Sequence, residues 1–483
     1  MSELLPDPKR WLALAVLLAG AFLPSFDFFV VNVALPSLQT DLGARPAQLQ
    51  FVVAGYGMAY AILLVTGGRL GDLFGRKRMF MLGMGGFTLA SALCGLAPDP
   101  DTLIAARVLQ GLTGAVMSPQ VLAIIRVTFP EGERSRAIGY FGTTIGLASI
   151  TAQLIGGALI EANIAGSGWR PIFLVNVPIG GAALIAAWRV LRESRSTGRP
   201  SLDLPGIALC LLMLVLLVYP LVEGREAGWP GWAWVMLALF LPALAAFALF
   251  ELTLQHRGRA PLVSMRLFRD PAFSLGLVMA VTFCCGLSAF FMSLTVTLQD
   301  GFGFGPLATG LVFVAFGVGF VGGSMVSARI ARRIGPLTIS LGGLLMAAGL
   351  AGVIALALTA DGTVPSEWLL LPVLTVYGVG QGLAMPTLIA AVVGSSRIPP
   401  QEAGAAAGVF SMVQQVAYAL GIAVIMGMFF TWLGAATDMA SYEAALSATL
   451  GCNVGLMLVT CVLAFWLPRR GAAPAAAAGV HLD

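Results

Sequence analysis

The chain has 483 residues, of which 58% are hydrophobic and only 10% charged. Water-soluble domains carry about 25% charged residues, so water is excluded as the main solvent and the class is a polytopic helical membrane protein. A closed β-barrel is excluded as well, because it shows short alternating segments and not long apolar runs. The net charge of +4 says nothing as a total; its distribution does.

The first ten residues are polar, and the apolar run that follows is too long for a signal-peptide core, so it reads as a retained first span. Asp27 sits inside that run, Trp11 to Leu38. A carboxylate in hydrocarbon is costly unless protonated, paired or facing water, and is tolerated mainly on ion or substrate pathways. This one residue turns a membrane protein into an expected proton-coupled transporter. About 20 residues cross the core, and runs of that kind fall at 11–35, 48–68, 79–97, 101–125, 137–160, 171–190, 204–222, 231–252, 272–297, 306–328, 337–358, 368–393, 404–433 and 446–467. The expectation is an all-α protein with 14 transmembrane helices.

Cations set the orientation. With both termini cytoplasmic, the inner segments hold 23 of the 27 Lys and Arg, the outer loops hold only Arg45, Arg170 and Arg225, and Arg107 lies within span 4. An odd span count would scramble that segregation. Two polar connections, Arg192–Asp203 and Gln255–Asp270, divide the chain into six, two and six spans. The expected domains are a six-helix bundle over 1–191, a linker and two-helix insert over 192–255, a second six-helix bundle over 256–470 and a disordered Ala-rich tail over 471–483. A short internal repeat agrees. Span 2 ends G-R-L-G-D-L-F-G-R-K-R at 68–78 and span 10 ends S-A-R-I-A-R-R-I-G-P-L at 327–337. Gly75 then aligns with Gly335, and Asp72 with Arg332.

Chemistry other than transport finds no support. The six cysteines fall in apolar stretches without metal-ligand spacing, and the two histidines are His256 and His481. No phosphate-binding loop, metal cluster or large catalytic loop is present, so no enzyme activity, cofactor, metal or nucleic-acid partner is expected. The expected partners are a small-molecule substrate, protons and the lipid bilayer, with the chain acting as a monomer. Two lysines against 25 arginines, with abundant Ala and Gly, point to a GC-rich bacterial genome and hence to a bacterial inner membrane.

Four segments resemble the major facilitator superfamily. G-R-L-G-D-L-F-G-R-K-R at 68–78 is similar to its signature between spans 2 and 3, and L-I-A-A-R-V-L-Q-G-L-T-G-A at 103–115 to its span 4 signature. F-D-F-F-V-V-N-V-A-L-P at 26–36 and W-R-P-I-F-L-V-N-V-P-I-G at 169–180 resemble spans 1 and 6 of the fourteen-span drug:proton antiporter branch. The resemblance implies two six-helix bundles that rock about a midplane cavity and export hydrophobic, often cationic compounds in exchange for protons. The branch's span 5 signature has Gly-Pro followed by Gly-Gly; here Gly156 and Gly157 remain while Ala152 and Gln153 replace the first pair. A proton-coupled carrier of a specific metabolite or lipid-like compound, not an antiporter, therefore stays open beside drug export.

Asp27 lies about 22 Å into span 1 and Arg107 roughly 9 Å into span 4 from the opposite side, so both reach a similar depth in the outer half. Asp27 is the expected protonation site, with Arg107 tuning it or relaying protons. A permanent structural pair, or an Arg107 clamp on backbone carbonyls, is the other reading. Gly68, Asp72, Gly75, Arg76 and Arg78 are the gating candidates. In the family fold Asp72 would meet the N-terminus of span 11 in the other bundle, with the glycines permitting close approach. Arg76 and Arg78 alternatively serve as orientation signal and lipid contact. Asn32, Gln110, Gly111, Gln153, Gly156, Gly157, Gln381 and Gln414 are candidates for either cavity lining or helix packing.

Overall fold

The computed structural model describes residues 8–195, 203–257, 261–359, 367–393, 403–434 and 438–467. The tail over 471–483 and most of the linker over 192–203 lie outside the described residues. The long helices are α1 (Arg10–Leu42), α2 (Pro46–Phe74), α3 (Arg76–Gly95), α4 (Pro100–Thr128), α5 (Glu131–Ala162), α6 (Pro171–Val190), α7 (Leu204–Glu226), α8 (Gly231–His256), α9 (Pro271–Gly301), α10 (Pro306–Ile334), α11 (Leu337–Thr359), α12 (Glu367–Val393), α13 (Gly404–Leu433) and α14 (Met439–Ala464). The face that carries Lys9 and the start of α1 is called the near face; α1 leads to the far face and α2 returns.

Among the described residues, 13 of these helices are long and apolar enough to cross a membrane. The remaining helix, α3, does not meet that measure. It has 20 residues but opens with Arg76, Lys77 and Arg78 and carries Gly83, Gly85, Gly86 and Gly95, so its apolar content is diluted. Those glycines serve packing: a Cβ on Gly83 would lie 2.7 Å from the Met117 Cβ, and one on Gly86 2.5 Å from the Thr113 Cγ2.

Helix ends follow local chemistry. Pro46, Pro100, Pro171, Pro271 and Pro306 open helices, where the missing N–H costs nothing. Asp99 caps α4 by accepting the Thr102 N–H at 2.8 Å, and these bonds to Thr102 hold its carboxyl below the ordinary value. Gly43 ends α1 in the left-handed region at φ 62°.

The first and last six helices pack in the same order. In the first group α5 and α6 lie on α1, α4 on α2 and α3, and α6 on α3. In the last group α13 and α14 lie on α9, α12 on α10 and α11, and α14 on α11. The repeat read at Gly75 and Gly335 is visible in the backbone: both have positive φ (106° and 60°), and each donates its N–H to the carbonyl four residues earlier. The helices α7 and α8 pair with each other, and α7 rests on α2 and on the π turn Ile422–Met426 of α13. Along α8, Trp234, Val235, Leu241 and Leu249 are exposed apolar side chains suited to lipid.

Between the groups, α5 packs on α10 and α2 on α13, contacts related by the same repeat. The close approaches of α5 to α10 lie in their far-face halves. A Cβ on Gly157 would sit 2.4 Å from the Pro306 carbonyl, and one on Gly310 2.4 Å from the Gln153 carbonyl. Toward the near face, Gly132, Gly139 and Gly142 of α5 and Gly322 of α10 have nothing within 4 Å. The contacts between the two helices thus lie toward the far face.

Candidate functional site

Asp27 is fully buried at the centre of the first six helices. Its Oδ2 is ion-paired with Arg107 Nη1. Its Oδ1 accepts from Gln110 Nε2 at 2.8 Å and from Asn176 Nδ2 at 3.2 Å. Arg107 is fully buried too; its Nη1 also donates to Gln110 Oε1 (2.8 Å) and its Nε to the Val52 carbonyl (3.1 Å). The guanidinium lies 4.3 Å from the Tyr56 ring centroid, and the Tyr56 hydroxyl donates to the Pro24 carbonyl at 3.1 Å. Asn176 also donates to Ser91 Oγ (3.0 Å), and Ser91 to the Phe173 carbonyl (2.9 Å). Helices α1, α2, α3, α4 and α6 thus all contribute to one polar knot.

Packing explains why the knot forms here. Gly111, one turn from Arg107, lets α4 approach α2 so closely that a Cβ would stand 2.4 Å from the Tyr56 carbonyl. That approach brings the guanidinium within reach of the Val52 carbonyl. Taking both charges out of water is costly, and the pair survives because the carboxylate is met by three side chains. Arg107 Nη2 and Asn176 Oδ1 remain without a hydrogen-bond partner among the described residues.

Next to the knot runs an aromatic wall that crosses between the two groups of helices. The Phe28 ring is 5.2 Å from Tyr418 on α13, and Phe29 is 5.5 Å from Phe291 on α9. Phe291 continues to Phe313 at 5.0 Å and Phe316 at 5.1 Å, and Phe290 reaches Tyr377 at 4.4 Å. The residues after Asp27 therefore carry the second helix group on one side while Asp27 points into the first.

The gating candidates take different partners from those the sequence suggests. Asp72 bonds Arg76 one turn on, at 2.8 Å, and not the N-terminus of α11. Arg78 lies 3.8 Å from Glu193, whose carboxylate also accepts the Lys77 and Arg78 N–H groups at the start of α3. The glycines permit close approach inside the first group: Gly67 to the Ala115 carbonyl, Gly71 to Gln120, and Gly75 to Glu193. Gly68 has Pro119 at 3.8 Å.

Of the remaining candidates, Gln110 alone joins the knot. Gln153 Nε2 reaches the Phe29 carbonyl at 3.3 Å. Asn32 bonds back to the Phe28 and Phe29 carbonyls of its own helix, and Gln414 to the Tyr418 hydroxyl of its own helix. Gln381 is buried, and its Oε1 has no hydrogen-bond partner among the described residues. Gly156 lets α5 approach Val30 of α1. Tyr56, Ser91 and Glu193 were not anticipated. Tyr56 and Ser91 are ordinary residues in apolar helices, while Glu193, as the first acid after α6, carried a weak signal.

Among the described residues, an all-helical body of two matched six-helix groups, with a buried ion pair in one of them, fits a membrane transporter. A family model described as Major Facilitator Superfamily matches residues 17–422, and the chain belongs to that family. It is 40% identical to a probable actinorhodin transporter of Streptomyces coelicolor, covering 89% of this chain and 74% of the relative. It is 39% identical to the puromycin resistance protein pur8 of Streptomyces alboniger, covering 96% and 92%. Identity to the multidrug resistance protein Stp of Mycobacterium tuberculosis is 31%, covering 87% and 76%. A solved bacterial homologue of the human lysosomal transporter Spinster, inward-facing and unoccupied, superposes with TM-score 0.68 over 95% of this chain and 97% of its own, at 15% identity.

Proposed function

We propose that the protein exports hydrophobic or cationic antibiotic-like compounds from a bacterial cell in exchange for protons, by alternating access of two bundles. The observation that carries the reading is the Asp27–Arg107 pair, buried beside an aromatic wall that both helix groups build. Asp27 is the proton carrier, and Arg107, Gln110 and Asn176 hold its charged form. Protonation frees Arg107 from its counter-charge and loosens five helices at once, which links proton occupancy to bundle movement. The Phe28, Phe29, Phe291 and Tyr418 rings offer stacking and cation–π surfaces for flat apolar cations. Relatives named as antibiotic and multidrug export or resistance proteins support the direction and the substrate class.

In this reading α3 is a fourteenth span, the near face is cytoplasmic and both termini lie on the cytoplasmic side of the inner membrane. The chain works as a monomer, with bundles over 1–191 and 256–470 and the insert over 192–255. The state seen is then inward-facing. Asp72, Arg76 and Arg78 meet α11 only when the cytoplasmic side shuts, guided by Gly68 and Gly75. The replacement of Gly-Pro by Ala152 and Gln153 favours a second reading, a proton-coupled carrier of one metabolite that is not an antiporter. Inverted vesicles with imposed pH gradients separate the two: export gives drug uptake driven by an acid lumen, and symport is driven by the opposite gradient. Unchanged transport by Asp27→Asn under a gradient would remove Asp27 from the coupling step.

A further inference from the structure

A second pair of acids lies outside the Asp27 knot, where α7 begins and α8 ends. Asp203 and Glu251 are both buried, at 4% and 0% exposure. Asp203 Oδ1 accepts the Gly206 N–H at 2.9 Å and Oδ2 the Leu262 N–H at 3.1 Å. Glu251 Oε2 accepts the Val263 N–H at 3.1 Å, while its Oε1 is buried with no hydrogen-bond partner among the described residues. Gly206 lets the carboxyls converge. A Cβ there would stand 2.4 Å from Asp203 Oδ2 and 2.6 Å from Glu251 Oε1, so the two oxygens lie within about 5 Å of each other.

Two buried carboxylates facing one another repel, and a charged oxygen without a donor is costly. One proton between them removes both faults: Glu251 becomes the donor and Asp203 Oδ2 the acceptor. Among the described residues a charged neighbour is Arg69 of α2, half-buried, which interacts electrostatically with Asp203 and Glu251 and whose Nη2 donates to the Pro261 carbonyl. Among the described residues Cys210 of α7 is another titratable group near Glu251, and Arg266 and Arg269 follow on the turn Met265–Arg269.

We infer that Asp203 and Glu251 form a second proton-binding site, whose single shared proton fastens the two-helix insert and the entry to the second bundle onto the end of α2. The proton comes from water at the near face and returns there. When it is bound, Arg69 and the acid pair are together neutral. When it leaves, the pair carries one uncompensated negative charge and the carboxylates separate. The Leu262 and Val263 N–H groups, the start of α7 and Arg69 then lose their shared anchor. Acid on the near side therefore holds the junction closed and alkali loosens it. In the orientation proposed above that side is the cytoplasm, so the site reads internal pH independently of Asp27.

The test uses the full-length chain carrying Asp27→Asn, so that Asp27 titrates in neither arm. Infrared difference spectra from about pH 5 to about pH 9 follow the protonated-carboxyl band, and the thermal unfolding midpoint is read on the same samples. Expected is a band that disappears with rising pH together with a fall in midpoint. Adding Glu251→Gln, whose amide keeps the donor, is expected to abolish the band and flatten the midpoint against pH. Adding Asp203→Asn is expected to remove the band near neutral pH, because Glu251 alone beside Arg69 ionises; this arm serves if the glutamine variant does not fold. An identical band and pH dependence with and without these substitutions would overturn the inference.

Discussion

Replacing Arg107 by Met leaves the Asp27 carboxylate buried with only the Gln110 and Asn176 amides as donors. Breaking a fully buried pair by removing one partner costs about 3–5 kcal/mol, since both side chains are inaccessible to water. Removing both charges, in Asp27→Asn with Arg107→Met, leaves a neutral site whose main loss is the bond to the Val52 carbonyl, about 1 kcal/mol. The double variant is therefore expected to be more stable than Arg107→Met alone, with a coupling of about 2 kcal/mol or more. The single variant is also expected to recover in acid, because a protonated Asp27 needs no counter-charge. Its folded form then binds a proton that the unfolded chain releases, so its stability falls as pH rises, by up to about 1.4 kcal/mol per pH unit. Thermal unfolding in detergent at several pH values measures all three variants. Additive losses with no acid recovery would show that the pair does not carry the charge balance described here.

Gly157→Val would place side-chain atoms against the Pro306 carbonyl, already 2.4 Å from a bare Cβ. It is expected to force the far face apart, raising labelling of a cysteine introduced there; unaltered labelling would refute tight packing of α5 on α10 at that face. Asp72→Ala is expected to bias the population toward the near-open state by removing the acid that docks when that side shuts, read as raised near-side cysteine labelling. Tyr56→Phe removes one hydrogen bond and is expected to cost about 1 kcal/mol, while Tyr56→Ala also strips the ring from Arg107 and is expected to lower transport further. Equal effects of the two in a transport assay would count against the cation–π contact.

Much of the architecture was written in the chain because bilayer solvent imposes one rule: long apolar helices separated by charged turns. The matched packing of α1–α6 and α9–α14 follows the repeat seen at Gly75 and Gly335. The signal is weakest at α3, where glycines packed against Met117 and Thr113 dilute the apolar content. The meeting of Asp27 with Arg107 was legible as equal depth, since helical rise converts sequence position into height. Rotation about the helix axis was not legible, so Tyr56, Ser91 and the inward turn of Asn176 required coordinates. The partner of Asp72 was not legible either, because several cations and helix ends lie within its reach in sequence, and the structure selects Arg76 one turn on.

Proton release is the most direct measure of the central claim. A pH-sensitive dye in weakly buffered detergent solution reports protons freed when a transported cation is added to purified protein. The account predicts release by the wild-type chain at a pH where Asp27 is protonated, and none by Asp27→Asn at the same bound-drug level. Equal release by both proteins would contradict it.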